Sequence, residues 1–366
     1  MKASVILCFF QTTVYHTPRK NLTDTCRWLL DHPVEVIVVQ GVEPGKTPVD
    51  LPATVNAVNV ETKTAMFRKE NLWNIGAKHA RSENLVFLDS DMWIDNPHWV
   101  DDTVALLEEY HFVQPMKETA FHDRIRYETS RKVPVSKALR DGEKINMGVH
   151  HPGFGWCMKR RTFEKIGGFY DLCVSGAGDA AIAIAMAQPE QVAHLSKFLL
   201  QNDRFAETAT FKSYLSRVRE LKPKVSPCPR GTAHHRWHGT SMGRNYVDRD
   251  KLFPRLPSGE HDLVRLPNGV LEWRDPEGDE ACRRYFAARY EDGRPPWLFG
   301  VGVPKSGTNS LQRALTTIGL TARHLGTDEA KGRTDIHELI DKNTKAGRKP
   351  LEGVIDVDAF VDTPIP

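Results

Sequence analysis

The sequence has no large excess of charge of either sign. Its 366 residues include 50 Lys and Arg and 47 Asp and Glu, which gives a formal net charge of +3. Proteins that bind nucleic acids usually carry a strong basic excess, so we expect no nucleic-acid partner. Apolar residues make up 40% and charged residues 27% of the chain. This balance speaks against a wholly disordered protein.

Cysteine is scarce, and its spacing excludes one class of site. There are six cysteines, and no two of them have the CxxC spacing of a metal or redox pair. A chain of this length does not depend on a disulfide framework. We therefore expect reduced thiols and a cytoplasmic location.

Long apolar runs are also missing. The longest uninterrupted runs are Val5–Phe10 and Ala180–Ala187, and both are far shorter than the roughly 18 residues of a membrane-spanning helix. The sequence therefore predicts no transmembrane segment and leaves open only a peripheral contact with a membrane. The run after Lys2 is not followed by a small-residue cleavage site, which favours a first β-strand over a signal peptide.

The first third of the sequence alternates predicted strands and helices. The strands are predicted at Ser4–Phe10, Val34–Val39 and Leu85–Leu88, and the helices at Leu22–Leu30 and Asn71–Arg81. This alternation predicts an α/β fold with a parallel sheet that is covered by helices.

A cluster of glycine and proline predicts a domain boundary. The stretch 292–296 (DGRPP) follows a predicted amphipathic helix at Glu280–Glu291 and has the composition of a linker. A new strand–loop–helix unit begins at Trp297. We expect two domains, residues 1–293 and 294–366.

Two carboxylates follow the third predicted strand. Asp89 and Asp91 are separated by Ser90 directly after Leu85–Leu88. Ligands of parallel α/β sheets bind outside the carboxyl ends of the strands, and two acids at that edge can hold a hard divalent cation. Such a cation could neutralise a pyrophosphate leaving group. The alternative is a solvated turn, in which Asp and Ser are common.

The segment around this pair resembles the donor-binding segment of GT-A glycosyltransferases. In that family a helix with the pattern Asn-x-Gly-x-x-x-Ala, here beginning at Asn74, precedes a strand that ends in DxD. The resemblance covers about residues 3–293 and implies a Rossmann-like nucleotide-sugar transferase fold. It also implies that Asp89 and Asp91 hold Mn²⁺ or Mg²⁺ against a nucleotide-sugar donor, with Asn74 and Ser90 among the donor contacts.

The same resemblance leaves the nucleotide base less certain than the metal. Family members often have an Asp after the second strand, near the base, whereas this strand continues into Gln40-Gly41. A uridine diphosphate sugar is the commonest donor of such enzymes, and we expect it here.

A second signature of the family resembles residues 153–170. It implies that Gly155 and Trp156 lie near the donor, although a buried core position is an equal alternative for Trp156. It also implies that Asp179 is the general base of an inverting transfer, taking the proton of the acceptor hydroxyl. The residues alone favour another role for Asp179, as the N-cap of the helix predicted at Ala180–Ala187.

The densest group of histidines is His234–His238. No cysteine stands beside it at zinc spacing, so a structural zinc site is not predicted. The group and the following residues resemble the closing signature of galactosyltransferase-type GT-A enzymes. This implies that His238 is a third metal ligand, which favours Mn²⁺ over Mg²⁺, and that Arg244 and Arg249 face phosphate oxygens. A solvated loop is the alternative.

A second phosphate-binding pattern lies between the predicted strand at Trp297–Val303 and a helix. Thr308 stands where a Walker loop needs Lys, which disfavours a nucleotide hydrolase or kinase. The loop instead resembles the 5′-phosphosulfate loop of sulfotransferases. On that resemblance Lys305 binds the bridging oxygen, and phosphate contacts come from Ser306, Gly307, Thr308, Asn309 and Ser310. Few residues follow, so we expect a partial domain with little or no sulfate transfer.

Together these features predict a metal-dependent glycosyltransferase of the hexosyltransferase type, acting in polysaccharide assembly. It would move a sugar from a nucleotide-sugar donor to a hydroxyl of a glycan or lipid-linked acceptor. Two alternatives stay open at this point. One is a glycan sulfotransferase that uses 3′-phosphoadenosine-5′-phosphosulfate, and the other is a catalytically silent GT-A module that binds carbohydrate.

Overall fold

The computed structural model describes residues 1–10, 15–174, 176–192, 208–240, 243–244, 262–293, 298–300, 308–317, 322–324, 342, 344–345 and 359–361. The chain divides into two compact units, Met1–Asp292 and Gly293–Pro366. No helix among these residues is long and apolar enough to span a bilayer.

The first unit is a mixed α/β structure. Its strands are β1 (Ala3–Phe10), β2 (Val34–Val42), β3 (Asn56–Glu61), β4 (Asn84–Leu88), β5 (Met92–Ile94), β6 (Glu118–His122), β7 (Glu128–Pro134), β8 (His150–His151), β9 (Gly155–Lys159), β10 (Thr232–His235), β11 (Leu263–Arg265) and β12 (Leu271–Trp273). Its helices are α1 (His16–Leu30), α2 (Lys69–Ala77), α3 (Trp99–Leu106), α4 (Val135–Asp141), α5 (Arg160–Ile166), α6 (Gly178–Met186), α7 (Pro189–Val192), α8 (Ala209–Glu220) and α9 (Pro276–Ala287).

The central sheet has the strand order β3-β2-β1-β4-β9. Strands β1, β2, β3 and β4 all run in the same direction. Strand β9 runs antiparallel to its partner β4. The predicted α/β class with a parallel sheet is therefore confirmed. Because these strands are parallel, the carboxyl ends of β1, β2 and β4 lie at the same edge of the sheet.

Alternate side chains of β1 build two cores, one on each face of the central sheet. Ile6 and Cys8 belong to the core that includes Leu72 and Trp73 of α2. Val5, Leu7 and Phe9 belong to the core that includes residues of α1. This arrangement follows from the period of two in a strand and matches the continuous apolar run, since a parallel strand is buried on both faces.

A second sheet, of order β5-β10-β6-β7-β8, continues from the central one. Only Asp89, Ser90 and Asp91 separate β4 from β5, so the chain passes from one sheet to the other at the predicted metal motif. In this sheet β10 pairs antiparallel with β5. That pairing brings the histidine-rich segment to the end of β4.

Residues 262–292 of the first unit add a hairpin, β11–β12, and the helix α9. The hairpin is anchored by a buried ion pair, 2.9 Å between Arg68 Nη2 and Glu272 Oε2. Glu272 also accepts hydrogen bonds from the backbone N–H groups of Lys63 and Thr64. The segment that carries Arg289 and Glu291 is thereby fixed to the remainder of the unit.

The second unit contains β13 (Leu298–Gly300), β14 (Ala322–His324) and β15 (Ala359–Val361) in the order β13-β15-β14, all parallel. Its described helix, α10, is Thr308–Thr317. Lys305, Ser306 and Gly307 of the predicted phosphosulfate loop lie outside the described residues. Thr308 begins α10, and Asn309 and Ser310 are exposed in its first turn. Phosphate binding by this loop stays a prediction.

Candidate metal and base site

The end of β4 places the two carboxylates of the DxD motif in different surroundings. Asp89 stays bound to the edge of β9: its N–H donates to the carbonyl of Phe154, and its Oδ2 accepts from the Phe154 N–H at 3.2 Å. Asp91 lies two residues later in the chain, and its carbonyl accepts a hydrogen bond from the Arg236 N–H. The backbone thus separates the two acids, although they are neighbours in the sequence.

Asp91 forms a cluster with two histidines that we call the dication cluster. Its Oδ2 lies 2.9 Å from His238 Nε2 and 3.5 Å from His235 Nε2. One potential ligand atom from each of the three residues lies within 4.8 Å of the others. Asp91 Oδ1 has no hydrogen-bond partner among the described residues. One carboxylate and two imidazoles, with an oxygen to spare, fit a divalent transition-metal ion such as Mn²⁺.

His238 is oriented from behind by an acid of the C-terminal segment. Its Nδ1 lies 3.2 Å from Glu291 Oε2, and Arg289 holds the other oxygen of Glu291 at 2.7 Å. A carboxylate on Nδ1 fixes the proton there and leaves Nε2 to face a metal, an arrangement typical of metal-binding histidines. Arg244 Nη1 also lies 2.8 Å from His238 Nε2, which places the predicted phosphate contact Arg244 beside the cluster.

The charges of the dication cluster are strongly coupled. Burial raises the pKa of Asp91, but His235 and His238 together outweigh it and hold that pKa well below its usual range. Burial and Arg244 lower the pKa of His238, but Asp91 and Glu291 raise it to about 9. Burial lowers the pKa of His235. At neutral pH Asp91 is therefore an anion whose nearest cation is the imidazolium of His238.

A second group, which we call the base cluster, surrounds the ammonium of Lys69 at the start of α2. Lys69 Nζ lies 3.3 Å from Asp89 Oδ1 and 3.5 Å from Asp179 Oδ2, and 5.0 Å from the ring centre of Trp73. About a fifth of each carboxylate side chain is exposed, 22% and 21%, so a ligand can reach both. Asp89 is paired with Lys69 and is not part of the dication cluster. Metal binding by Asp89 therefore stays a prediction.

Asp179 is not the N-cap of its helix, so that alternative is wrong. The cap of α6 is Ala177, with a φ of 73° and no side-chain cap bond, and Asp179 is the second helical residue. Its Oδ1 accepts from the Ala180 N–H at 2.9 Å. Gly153 leaves space for its Oδ2, because a β-carbon there would lie 2.7 Å from that atom and 3.1 Å from His151 Nε2.

The pKa values of Asp89 and Asp179 are shifted in opposite directions. Burial raises the pKa of Asp89, and Lys69 offsets only part of this. Burial also raises the pKa of Asp179, but Lys69 and His151 outweigh it, and the result lies below the usual range. Asp179 is therefore ionised at neutral pH and able to accept a proton.

The remaining predicted donor contacts have mixed outcomes. Trp156 is fully buried and donates from Nε1 to the Pro152 carbonyl, which agrees with the alternative of a core residue. Gly155 faces β4, where a β-carbon would lie 2.8 Å from the Phe87 carbonyl oxygen. The Asn74 amide bonds both the N–H and the carbonyl of Phe169, so it fixes a turn. Ser90 is partly exposed between the acids.

Donor contacts by these residues stay predictions, and Arg249 lies outside the described residues. Sequence reasoning missed Lys69, His235, His151 and Glu291. One signal was available for His235, since it is three residues before His238 and both can reach one point from the end of a strand. The other three depend on contacts between distant segments.

Comparisons with known proteins find weak likenesses only. No protein-family model matches the chain, and a search of curated proteins also finds no match. Among solved structures, the mannosyltransferase PcManGT from Pyrobaculum calidifontis in complex with GDP-Man and Mn²⁺ is 18% identical, with a TM-score of 0.32 over 51% of this chain and 52% of that one.

Two other solved structures are also weakly similar. S. aureus TarS in complex with UDP-GlcNAc is 18% identical, with a TM-score of 0.33 over 51% of this chain and 53% of that one. A Drosophila β-1,4-galactosyltransferase 7 variant in complex with manganese, UDP-Gal and xylobiose is 12% identical, with a TM-score of 0.27 over 50% and 59%. The chain spans little more than half of the length of these three structures.

Proposed function

We propose that residues 1–293 form a metal-dependent GT-A glycosyltransferase domain. It transfers a sugar from a nucleotide-sugar donor, with a uridine diphosphate sugar as the expected form, to a hydroxyl of a glycan or lipid-linked acceptor. One observation carries this proposal. Three side chains that could hold a divalent metal meet at Asp91, and a separate carboxylate, Asp179, shares Lys69 with Asp89. Both groups adjoin the segment 89–91 that follows strand β4 at the carboxyl edge of the parallel strands.

The dication cluster provides the donor side. Asp91, His235 and His238 would hold the ion, and Glu291 would orient His238. A bound dication would supply Lewis-acid stabilisation of the diphosphate leaving group. Two imidazole ligands favour Mn²⁺ over Mg²⁺, which prefers oxygen. Arg244, beside His238, would contact a phosphate oxygen.

The base cluster provides the acceptor side. Asp179 accepts the proton of the acceptor hydroxyl while that oxygen forms its bond to the anomeric carbon. The bond from the anomeric carbon to the diphosphate oxygen breaks, and its electron pair leaves with the nucleoside diphosphate. Attack from the face opposite the leaving group inverts the anomeric centre. Lys69 holds Asp179 and Asp89 in place and keeps Asp179 ionised.

A binding and transfer experiment tests the proposal. Full-length protein is screened against nucleotide sugars with and without Mn²⁺, by thermal shift and by release of the nucleoside diphosphate. A ligand that binds only the folded state stabilises it by ~2.7 kcal/mol at 100 times its Kd. We expect one nucleotide sugar to raise Tm only with Mn²⁺, in wild type but not in His235→Ala. The neighbouring His234→Ala, which leaves the dication cluster intact, is the control. Stabilisation without metal dependence would contradict the proposal.

A further inference from the structure

Glu70, the second residue of α2, is buried in a way that its sequence position does not explain. Only 2% of it is exposed, and its Oε1 has no hydrogen-bond partner among the described residues. A buried polar atom that is left without a hydrogen bond destabilises the fold, and a charged one does so more strongly. An apolar residue would fill the same space at lower cost, so packing alone does not account for a carboxyl group here.

The glycine opposite makes room for this carboxyl group. A β-carbon on Gly178 would overlap the carboxyl carbon of Glu70. Gly178 begins α6, and its φ is not positive, so its backbone does not require glycine. Glycine is also a poor helix former. The space that Gly178 leaves is therefore matched to Glu70, on the residue next to Asp179.

Glu70 also faces the cation of the base cluster. Lys69 Nζ lies 3.8 Å from Glu70 Oε1, compared with 3.3 Å from Asp89 and 3.5 Å from Asp179. The Glu70 carboxyl packs against Gly178 at the start of α6, the helix that carries Asp179, so its attraction for the ammonium acts beside that helix. Without this charge, the ammonium would keep Asp89 and Asp179 as the carboxylates of the base cluster, and Asp89 is the nearer of the two. Burial raises the pKa of Glu70 to about 7, which reflects the cost of keeping it charged.

We propose that Glu70 is a positioning residue for the reaction, lodged over Gly178 so that it holds Lys69 against Asp179 and fixes the carboxylate that receives the acceptor proton. This inference rests on the proposed function. Glu70 of α2 would then act on the proposed base Asp179, which is close to it in space but distant in the sequence. A misplacement of a reacting group by about 1 Å can cost about 10²-fold in rate.

Four variants of the full chain test the inference: Glu70→Gln, Glu70→Ala, Glu70→Ala/Gly178→Ala and Glu70→Ala/Gly178→Asp. In Glu70→Gln the shape is kept and the charge is removed. The two double variants differ only in whether position 178 carries a carboxylate, close to the place that the Glu70 carboxyl occupied. Measured quantities are Tm, the Mn²⁺-dependent Kd of the donor, and kcat and KM for sugar transfer.

We expect Glu70→Gln to keep its Tm and donor Kd and to lose about 10²-fold in kcat. Glu70→Ala and Glu70→Ala/Gly178→Ala should be equally slow, and Glu70→Ala/Gly178→Asp should recover at least tenfold of the loss. An unchanged kcat in Glu70→Gln, or equal rates in the two double variants, would overturn the inference while the wild type still transfers sugar. A wild type that transfers no sugar would overturn the proposed function, and the inference with it.

Discussion

Asp89 of the base cluster and Asp91 of the dication cluster are two residues apart in the sequence. Their negative charges are nevertheless balanced by different kinds of group. Asp91 lies against the imidazoles of His235 and His238, and the Arg244 guanidinium contacts His238 in turn. Asp89 and Asp179 share an ammonium that belongs to the protein itself. Asp91 therefore faces side chains that could bind a metal with it, whereas Asp89 is paired with Lys69 beside Asp179.

The largest expected effect on metal binding comes from removing the carboxylate of the dication cluster. Asp91→Ala deletes the only carboxylate of the three candidate ligands among the described residues. Because loss of a residue that merely orients a ligand already costs 10–100-fold in metal affinity, we expect at least about 10²-fold weaker Mn²⁺ binding by calorimetry. Asp101→Ala, at an exposed acid, is the control and should change stability by less than ~0.5 kcal/mol. Undiminished Mn²⁺ binding by Asp91→Ala would remove it from the site.

Asp179→Asn should reverse the pattern by sparing the metal and donor while stopping transfer. Removal of a general base typically costs ~10²–10⁴-fold, and Asn keeps the shape of the side chain. Because Ala177 and not Asp179 caps α6, loss of a cap cannot explain a slow variant. Single-turnover transfer and equilibrium donor binding are measured side by side. Near-normal transfer would show that Asp179 is not the base.

An intermediate effect is expected from Glu291→Gln, which changes the acid behind His238. Arg289 would lose its ion pair with Glu291, and the Nδ1 proton of His238 would be held less firmly. We expect Mn²⁺ affinity to fall by about 10–100-fold with transfer restored at high Mn²⁺. Glu277→Gln, at an exposed position of α9, serves as control. A rate defect that excess Mn²⁺ cannot repair would place Glu291 in the base chemistry instead.

The smallest effect on transfer at neutral pH is expected from Glu272→Gln, because Glu272 pairs with Arg68 and belongs to neither cluster. Burial raises the pKa of Glu272, but Arg68 and the bonds from Thr64 and Lys63 hold it below its usual value. A carboxyl group with a lowered folded-state pKa stabilises the fold above its unfolded-state pKa, about 4.3, and this stabilisation is lost as pH falls through the folded-state value.

Glu272→Gln should therefore lower the free energy of unfolding by about 1–3 kcal/mol at pH 7. Its difference from wild type should shrink as the pH is lowered below 4. Urea unfolding across this pH range measures it. A difference that stays constant down to the lowest pH would show that the charge of Glu272 does not contribute.

The sequence predicts the local parts of this site well. The buried strand β4, the acids that follow it and His238 are each recognisable within a few residues, because their chemistry and periodicity are local. The helix predicted at Asn71–Arg81 is found at Lys69–Ala77. That shift of two residues at its start is enough to bring Lys69 and Glu70 into the first turn.

The partners of these residues could not be predicted, because they come from distant segments. Glu291 reaches His238 across 53 positions, and Lys69 reaches Asp179 across 110. The contact between Gly178 and Glu70 could not be predicted from the sequence, because this glycine begins a helix and does not mark a turn. The second sheet, whose strand β10 carries His235 to Asp91, is not marked by alternating apolar and polar residues, because β10 has only 4 residues and carries polar side chains on both of its faces.

In the proposed function, a dication held by Asp91, His235 and His238 binds the diphosphate of a nucleotide sugar. Pulsed electron paramagnetic resonance of Mn²⁺ bound to the whole chain with uridine diphosphate shows which nuclei lie next to the ion. We expect ¹⁴N coupling from histidine together with ³¹P coupling from the nucleotide, with the ¹⁴N signal reduced in His235→Ala and in His238→Ala. A spectrum that shows ³¹P coupling but no histidine nitrogen would contradict it.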